Sequence, residues 1–153
     1  MSKALQIYTA LSKFPFGKHI FSKAVTFNAP YFSTIKPFIS SLKPGTCTIE
    51  MKERRRVHNH IGTVHAIAMC NLCELTMGMA LEATIPSDLR WIPKAMSVRY
   101  LKKGKGRLTG TSQVDGAAIK PGDVDIPVVI TNTAGETVAD VKITVYISLR
   151  HPS

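Results

Sequence analysis

Glu74 is the only ionisable acid in the sixteen-residue stretch AIAMCNLCELTMGMAL, which runs from Ala66 to Leu81. Nearly every other side chain there is apolar, small or sulfur-bearing, so a helix formed by this stretch would be buried on almost all sides. A lone buried carboxylate costs several kcal/mol unless a partner satisfies it or a reaction uses it. Glu74 therefore predicts a chemical role. The alternative is a structural acid that is hydrogen-bonded to Asn71, Thr76 or a partner's backbone.

The histidines and cysteines nearby do not favour a metal or redox centre. His58, His60 and His65 precede the helix, but no cysteine or aspartate completes a tetrahedral zinc set at a typical spacing. Cys70 and Cys73 form a CNLC pair inside the helix with no strand before it, so packing is the better interpretation. We therefore expect no metal site. An odd number of cysteines, three, argues against a disulfide framework and favours a reduced, cytoplasmic setting.

The net charge of +10 is unevenly distributed. Residues 1–49 contain six lysines and no acid, whereas residues 108–153 contain three basic and five acidic side chains. Such a distribution indicates either an anionic partner or a solvated basic face. The basic runs YLKKGKGR and Arg54–Arg56 lack the interleaved aromatic residues of a nucleic-acid stacking surface, so we expect no nucleic-acid partner.

Residues 1–42 predict an N-terminal helical extension. LQIYTALSKF and YFSTIKPFISSL both have roughly helical spacing, with Pro37 as a kink or boundary. A basic segment that bears aromatic residues could contact a membrane surface, but packing over the main fold is the favoured interpretation. No apolar run is long and free enough of polar groups to span a bilayer, and the first residues lack the core of a signal peptide.

Residues 43–153 predict an α+β domain. The stretch after Gly45 alternates, with Cys47, Ile49 and Met51 on one face, which predicts a strand. A long helix follows, with Thr63 as a plausible N-cap and an end near residues 83–84, because Pro86 disfavours helical geometry before it. Four more strands are predicted, the last two joined by a TAGE hairpin: 95–102, 107–115, 124–132 and 137–149. A helix that is apolar all round requires the sheet to wrap it.

These residues resemble the hotdog fold, in which a curved antiparallel sheet wraps a long central helix. The local motif looks like that of the PaaI-like and 4-hydroxybenzoyl-CoA thioesterases. Asn59, Gly62 and His65 fit its first part, and Glu74 falls nine residues after the histidine, where the family has Asp or Glu. The chain also resembles the uncharacterised DUF4442 branch, including its extra N-terminal helices. The resemblance covers about residues 43–150.

The resemblance implies roles for these positions. The Ala66 amide, at the first helical position, would stabilise the negative charge on a thioester oxygen, and Asn59 would act beside it. Glu74 would come from the second subunit as nucleophile or general base. Gly62 and Ile67 would shape the substrate site, and His65 would cap the helix or shape the pocket rather than act as the base. Ala66 and Ile67 replace the family's glycine pair, and the branched Ile67 would narrow the approach of the thioester.

The sequence therefore predicts an acyl-CoA thioesterase, with a non-catalytic acyl or acyl-CoA binding protein as the alternative. No cofactor is expected beyond the coenzyme A of the substrate. The predicted assembly is a homodimer or a dimer of dimers. Basic side chains that would contact the coenzyme A phosphates lie in two runs: Lys102, Lys103, Lys105 and Arg107 in one, and Arg56 in the other.

Overall fold

The apolar stretch around Glu74 forms the central helix. A computed structural model of the protein describes residues 2–150, and in it this helix, α3, spans Ala66–Glu82 with Ala83 as its C-cap. Its end agrees with the sequence prediction. Its start does not, because His65 is the N-cap and the Thr63 side chain instead accepts a hydrogen bond from Asn59 in the preceding loop.

In the described part of the chain, six strands form one antiparallel sheet around α3. In chain order they are β1 (Phe38–Lys43), β2 (Thr46–Lys52), β3 (Leu89–Tyr100), β4 (Arg107–Gln113), β5 (Gly122–Thr131) and β6 (Thr137–Leu149). In space their order is β1-β2-β4-β5-β6-β3. The alternating faces bury one side of each central strand against α3, as in β2, where Cys47, Ile49 and Met51 point inward. The predicted α+β architecture is confirmed.

The prediction of helix for residues 38–42 is wrong, because this segment is part of strand β1. The pairing with β2 shifts register between Ile39 and Ser41, so a bulge interrupts the strand. Ile39 and Leu42 are consequently both buried although they are three residues apart. A bulge thus imitates the spacing of a helix in the sequence. The extension itself ends in a 3₁₀ helix, Pro30–Ile35.

Strand β3 begins at Leu89, six residues before its predicted start at Ala95. The missed part contains Pro93, and the pairing with β6 shifts between Pro93 and Ala95. Proline and bulges are both tolerated at a sheet edge, where one side of the strand needs no hydrogen-bonded partner. The hairpin between β5 and β6 closes through the predicted turn, with Asn132 N–H donating to Glu136 O at 3.0 Å.

The helices α1 (Lys3–Leu11) and α2 (Gly17–Asn28) lie against β1. The carbonyl oxygen of Ser40, at the bulge, accepts hydrogen bonds from Tyr8 Oη at 3.0 Å and Lys18 Nζ at 2.7 Å. Ile39 N–H donates to Ser22 Oγ at 2.9 Å. These contacts satisfy backbone groups on the outer edge of β1, so the predicted packing of the extension on the main fold is confirmed and one edge of the sheet is covered.

We expect Gly110→Val to destabilise the protein by about 1–3 kcal/mol, because a Cβ at this position of β4 would lie 2.8 Å from Thr76 Oγ1 on α3. Thr76 is fully buried and its hydroxyl donates to Leu72 O, so it has little room to move. Urea unfolding would measure the loss. Gly116→Ala is the matched control, since its Cβ would meet only Thr84 Cγ2 at 3.6 Å. Equal stability of the two variants would contradict close packing of α3 on β4.

Candidate active site at the N-terminus of the central helix

A hydrogen-bonded loop that includes residues 59–63 precedes α3. Asn59 Oδ1 accepts from the N–H groups of Ile61 and Thr63, both at 3.1 Å, and its Nδ2 donates to Thr63 Oγ1 at 2.8 Å. Gly62 has a φ of 73°, a left-handed conformation that glycine adopts without strain. Asn59 and Gly62 therefore both shape this loop, and one of the two Nδ2 protons of Asn59 is left without a partner among residues 2–150.

The first amides of α3 are available to a ligand. His65 Nδ1 accepts a hydrogen bond from Ile67 N–H at 3.0 Å, which caps the helix and leaves the proton of a neutral imidazole on Nε2. The N–H groups of Ala66 and Ala68 donate to no group in the described part of the chain. Unpaired amides at the positive end of a helix dipole favour a negatively charged or polarised oxygen. The N–H groups of Ala66 and Ala68 are therefore free to donate to an oxygen of a ligand.

One stripe of α3 is not covered by the sheet. Ile67 is 55% exposed, and Cys70 and Glu74 are half-buried on the same side of the helix. Strand β3 flanks the stripe at both ends. Tyr100 Oη lies 3.1 Å from Cys70 Sγ. At the other end Trp91 packs over Gly78, where a Cβ would be 3.1 Å from the indole.

Glu74 has no hydrogen-bond or ion-pair partner among the described residues. Asn71 donates to Thr34 Oγ1 at 3.0 Å, and the Thr76 hydroxyl donates to Leu72 O at 2.7 Å. The two side chains that could have made Glu74 a structural acid within one chain are thus bonded elsewhere. Its half-buried, unpartnered carboxylate is free to bind or react.

A groove of about 220 Å³ opens beside the N-terminus of α3, between that helix and the 3₁₀ helix Pro30–Ile35. His65, Ile67 and Asn71 line its α3 side, and Tyr31 and Arg56 lie across from them. Asn71 Oδ1 is buried without a partner among the described residues. The sequence prediction did not include Tyr31, because nothing in a surface 3₁₀ turn marks its contact with a distant helix.

The predicted coenzyme A contacts differ in their availability. Lys102 pairs with Glu136 and Arg107 with Glu50, so these two cations are partly neutralised. Lys103 and Lys105 are exposed and have no ion-pair partner in residues 2–150. They flank Gly104, which is buried against Val64 and Met69 at the start of α3.

The three histidines do not form a cluster. His65 caps α3, and His58 Nε2 lies 2.8 Å from Glu53 Oε1 but outside hydrogen-bonding geometry. Among residues 2–150 no group of three histidine, cysteine or acidic side chains could hold a metal ion. All three cysteines are free, and burial raises the pKa of the Cys47 thiol to about 12 and also raises that of Cys73.

Comparison with known proteins places the chain in a family. A family described as a domain of unknown function, DUF4442, matches residues 17–147. The chain belongs to the DUF4442 family. The crystal structure of a genomics target is 35% identical to this DUF4442 chain and has a TM-score of 0.83. The alignment covers 96% of this chain and 98% of the other. No curated protein matches in sequence.

Two bacterial structures show the fold. A Staphylococcus aureus thioesterase is 19% identical and covers 78% of this chain and 98% of its own, with a TM-score of 0.70. Structures of it carry alanine in place of a glutamine and of a glutamate fifteen positions later. A Streptococcus pneumoniae hypothetical thioesterase with coenzyme A is 22% identical and covers 76% of this chain and 91% of its own, with a TM-score of 0.65. The DUF4442 chain therefore has the hotdog fold.

Burial raises the pKa of the Tyr100 phenol from its ordinary value of 10 to about 12, and its contact with Cys70 contributes further. An ultraviolet titration should therefore show a tyrosine phase near pH 12, and Tyr100→Phe should remove that phase. Cys70→Ala should move it toward lower pH while burial holds it above 10. An unchanged titration in Cys70→Ala would contradict the contact between the two side chains.

Proposed function

We propose that this protein hydrolyses an acyl-CoA-like thioester at a site that two subunits share. The observation that carries the proposal is the unpartnered Glu74 carboxylate on the same stripe of α3 that begins at the free Ala66 amide. One group stabilises negative charge on a carbonyl oxygen, and the other supplies or activates a nucleophile. Thioester hydrolysis needs both.

The spacing along α3 supports a site in which the two groups come from different chains. Ala66 and Glu74 are eight residues apart, which is about 12 Å along a helix axis. One thioester carbon cannot lie within reach of both groups of a single helix. Two α3 helices that run antiparallel across a two-fold axis would bring Ala66 of one subunit close to Glu74 of its partner.

The uncovered edge of the sheet supports such a dimer. The outer edge of β1 is covered by α1 and α2, whereas β3 is a twelve-residue edge strand with no neighbouring strand on its outer side within residues 2–150. A long open edge tends to pair with another chain. Since β3 also flanks the Cys70–Glu74 stripe, a dimer formed along β3 would place the partner's residues next to the site.

In the proposed reaction Glu74 acts as a general base or as the nucleophile. As a base it takes a proton from water while the oxygen of that water bonds to the thioester carbon. The Ala66 N–H and the remaining Nδ2 proton of Asn59 would stabilise the oxyanion that forms. The C–S bond then breaks, and the thiolate leaves as the thiol after it takes up the proton.

Two comparisons support these assignments. Asn59 and Glu74 are fifteen positions apart, the same separation as the glutamine and glutamate replaced in the Staphylococcus aureus thioesterase. The Streptococcus pneumoniae structure contains coenzyme A, which supports a coenzyme A thioester as the substrate class. Lys103, Lys105 and Arg56 surround the start of α3 and would contact its phosphates, with smaller contributions from Lys102 and Arg107.

The position of the Ile67 side chain helps to distinguish hydrolysis from the alternative, a non-catalytic acyl or acyl-CoA binding protein. Ile67 replaces a glycine of the family motif, so it could block the thioester. Its side chain, however, is more than half exposed and lines the groove, and the Ala66 N–H remains free. This arrangement favours hydrolysis over binding alone.

Glu74→Gln should reduce kcat by about 10²–10⁴-fold, because the amide is nearly isosteric but neither accepts the proton nor attacks the carbonyl. Thiol release from acyl-CoAs that range from acetyl to palmitoyl, with phenylacetyl included, would measure it. Glu82→Gln is the matched control on the same helix, since Glu82 is engaged by Trp91 Nε1 at 2.8 Å. Full activity of Glu74→Gln would refute the mechanism. Ligand-dependent thermal stabilisation without turnover in the wild type would indicate the binding protein.

Ala66→Pro should reduce kcat by about 10²–10³-fold without loss of fold. Proline is well tolerated at the first position of a helix, where it removes only an amide proton that has no helical partner. His65 already has the extended conformation that precedes proline, with a ψ of 140°. Ala66→Ser keeps the N–H and should keep most activity. Comparable activity of the proline and serine variants would exclude the Ala66 amide as the oxyanion donor.

The same variants test the subunit arrangement. If Ala66 and Glu74 act across the dimer, co-refolded Ala66→Pro and Glu74→Gln chains form mixed dimers with one intact site. Activity should then recover to about a quarter of the wild-type value at random mixing. No recovery in a mixture that size and mass analysis shows to contain heterodimers would place both groups in one chain.

A further inference from the structure

Helix α2 carries an exposed apolar ridge on the side away from the sheet. Phe16, at its N-cap, is 78% exposed, Ile20 is 54% exposed and Phe27 is 87% exposed. With Ala24, which is also exposed, they follow one another at intervals of three or four residues and therefore lie on one face. Phe21 and Ser22 are buried on the opposite face. Isolated exposed apolar side chains are ordinary, but a continuous ridge with two phenylalanines is not.

Helix α1 presents a similar ridge beside it. Ile7 is 42% exposed, Phe14, in the turn that follows the helix, is 68% exposed, and Ala10 lies exposed between them. The buried residues of α1, Leu5 and Tyr8, face the main fold. Because α1 and α2 both pack on β1 through their buried sides, the two ridges lie on the outer surface of the extension. We call this surface, formed by Ile7, Ala10, Phe14, Phe16, Ile20, Ala24 and Phe27, the apolar face.

Lysines are interleaved with the apolar face and no acid accompanies them. Lys3 precedes Ile7 by four residues, Lys13 adjoins Phe14, and Lys23 lies between Ile20 and Phe27 on the same side of α2. All three are exposed. The first acid of the chain is Glu50, so the extension has no internal ion pair between carboxylates and lysines.

We propose that the apolar face binds the surface of a membrane that contains anionic lipids. Phenylalanine and isoleucine side chains would enter the boundary between headgroups and acyl chains, and the interleaved lysines would contact lipid phosphates. The charge argues against a second copy of this chain as the occupant, because two such faces would repel each other. No helix within the described residues is long and apolar enough to cross a membrane, so the contact is a peripheral one.

The apolar face leads toward the groove at α3. Tyr31 lies four residues beyond Phe27, in the 3₁₀ helix that follows α2, is 66% exposed, and forms part of the groove wall. An amphiphile held at the membrane surface would thus meet the groove from the side of the extension. Membrane binding itself does not depend on the proposed hydrolysis.

Vesicle sedimentation of the full chain tests the proposal. The wild type should sediment with vesicles of equal parts phosphatidylcholine and phosphatidylglycerol, less with phosphatidylcholine alone, and less as the salt concentration rises. Phe16→Ser with Phe27→Ser should lower the partition coefficient by roughly 10-fold or more. Lys13→Glu with Lys23→Glu should lower it to a similar extent. The full chain is needed, because removal of residues 1–43 would also remove β1.

Two control variants distinguish binding through the apolar face from non-specific hydrophobic or electrostatic binding elsewhere on the surface. Leu149→Ser removes an apolar side chain that is 57% exposed elsewhere, and Lys120→Glu reverses an exposed charge outside the extension. Both should bind like the wild type, and circular dichroism should show all variants folded. Failure of the wild type to sediment with anionic vesicles, or equal binding by the double phenylalanine variant, would overturn the proposal. Either result would leave the extension as a site for a protein partner.

Discussion

The burial of α3 inside the curved sheet is the constraint on which the rest of the structure depends. Strands β2, β4 and β5 cover one side of this helix. Because most of its side chains are buried, only a narrow stripe of the helix surface stays open. The open stripe contains Ile67, Cys70 and Glu74. An acid is therefore accommodated on an otherwise apolar helix, because it lies where the sheet does not reach.

The same geometry separates the free amides of α3 from its acid. The amides lie at the first turn of the helix and the Glu74 carboxylate two turns later, so a single subunit would hold half of each proposed site. Strand β3 borders the stripe of Ile67, Cys70 and Glu74 through Tyr100 and Trp91. The same strand forms the open edge of the sheet, along which the proposed dimer would pair. In the proposed dimer, edge pairing and completion of the site would be one event.

The N-terminal extension has two physical tasks. Its inner side satisfies the backbone of the bulged β1 strand through Tyr8, Lys18 and Ser22, and so prevents unwanted pairing at that edge. Its outer side carries the interleaved phenylalanines and lysines, and its 3₁₀ helix contributes Tyr31 to the groove. The extension thus connects the sheet edge, the outer surface and the start of α3.

The sequence by itself determined α3 from its long apolar run, and β2 and the hairpin of β5 and β6 from their alternation and turn. It also determined the spacing of Asn59, Gly62, His65 and Glu74. It failed at β1 and at the start of β3, because a bulge or a proline breaks the period from which a strand is recognised. Only the tertiary structure decided between His65 and Thr63 as the cap of α3. It also showed that Lys102 and Arg107 are paired and that Tyr31 and Tyr100 approach the site. Those contacts join residues far apart in the chain, and local spacing contains no information about which distant side chains the closed sheet brings together.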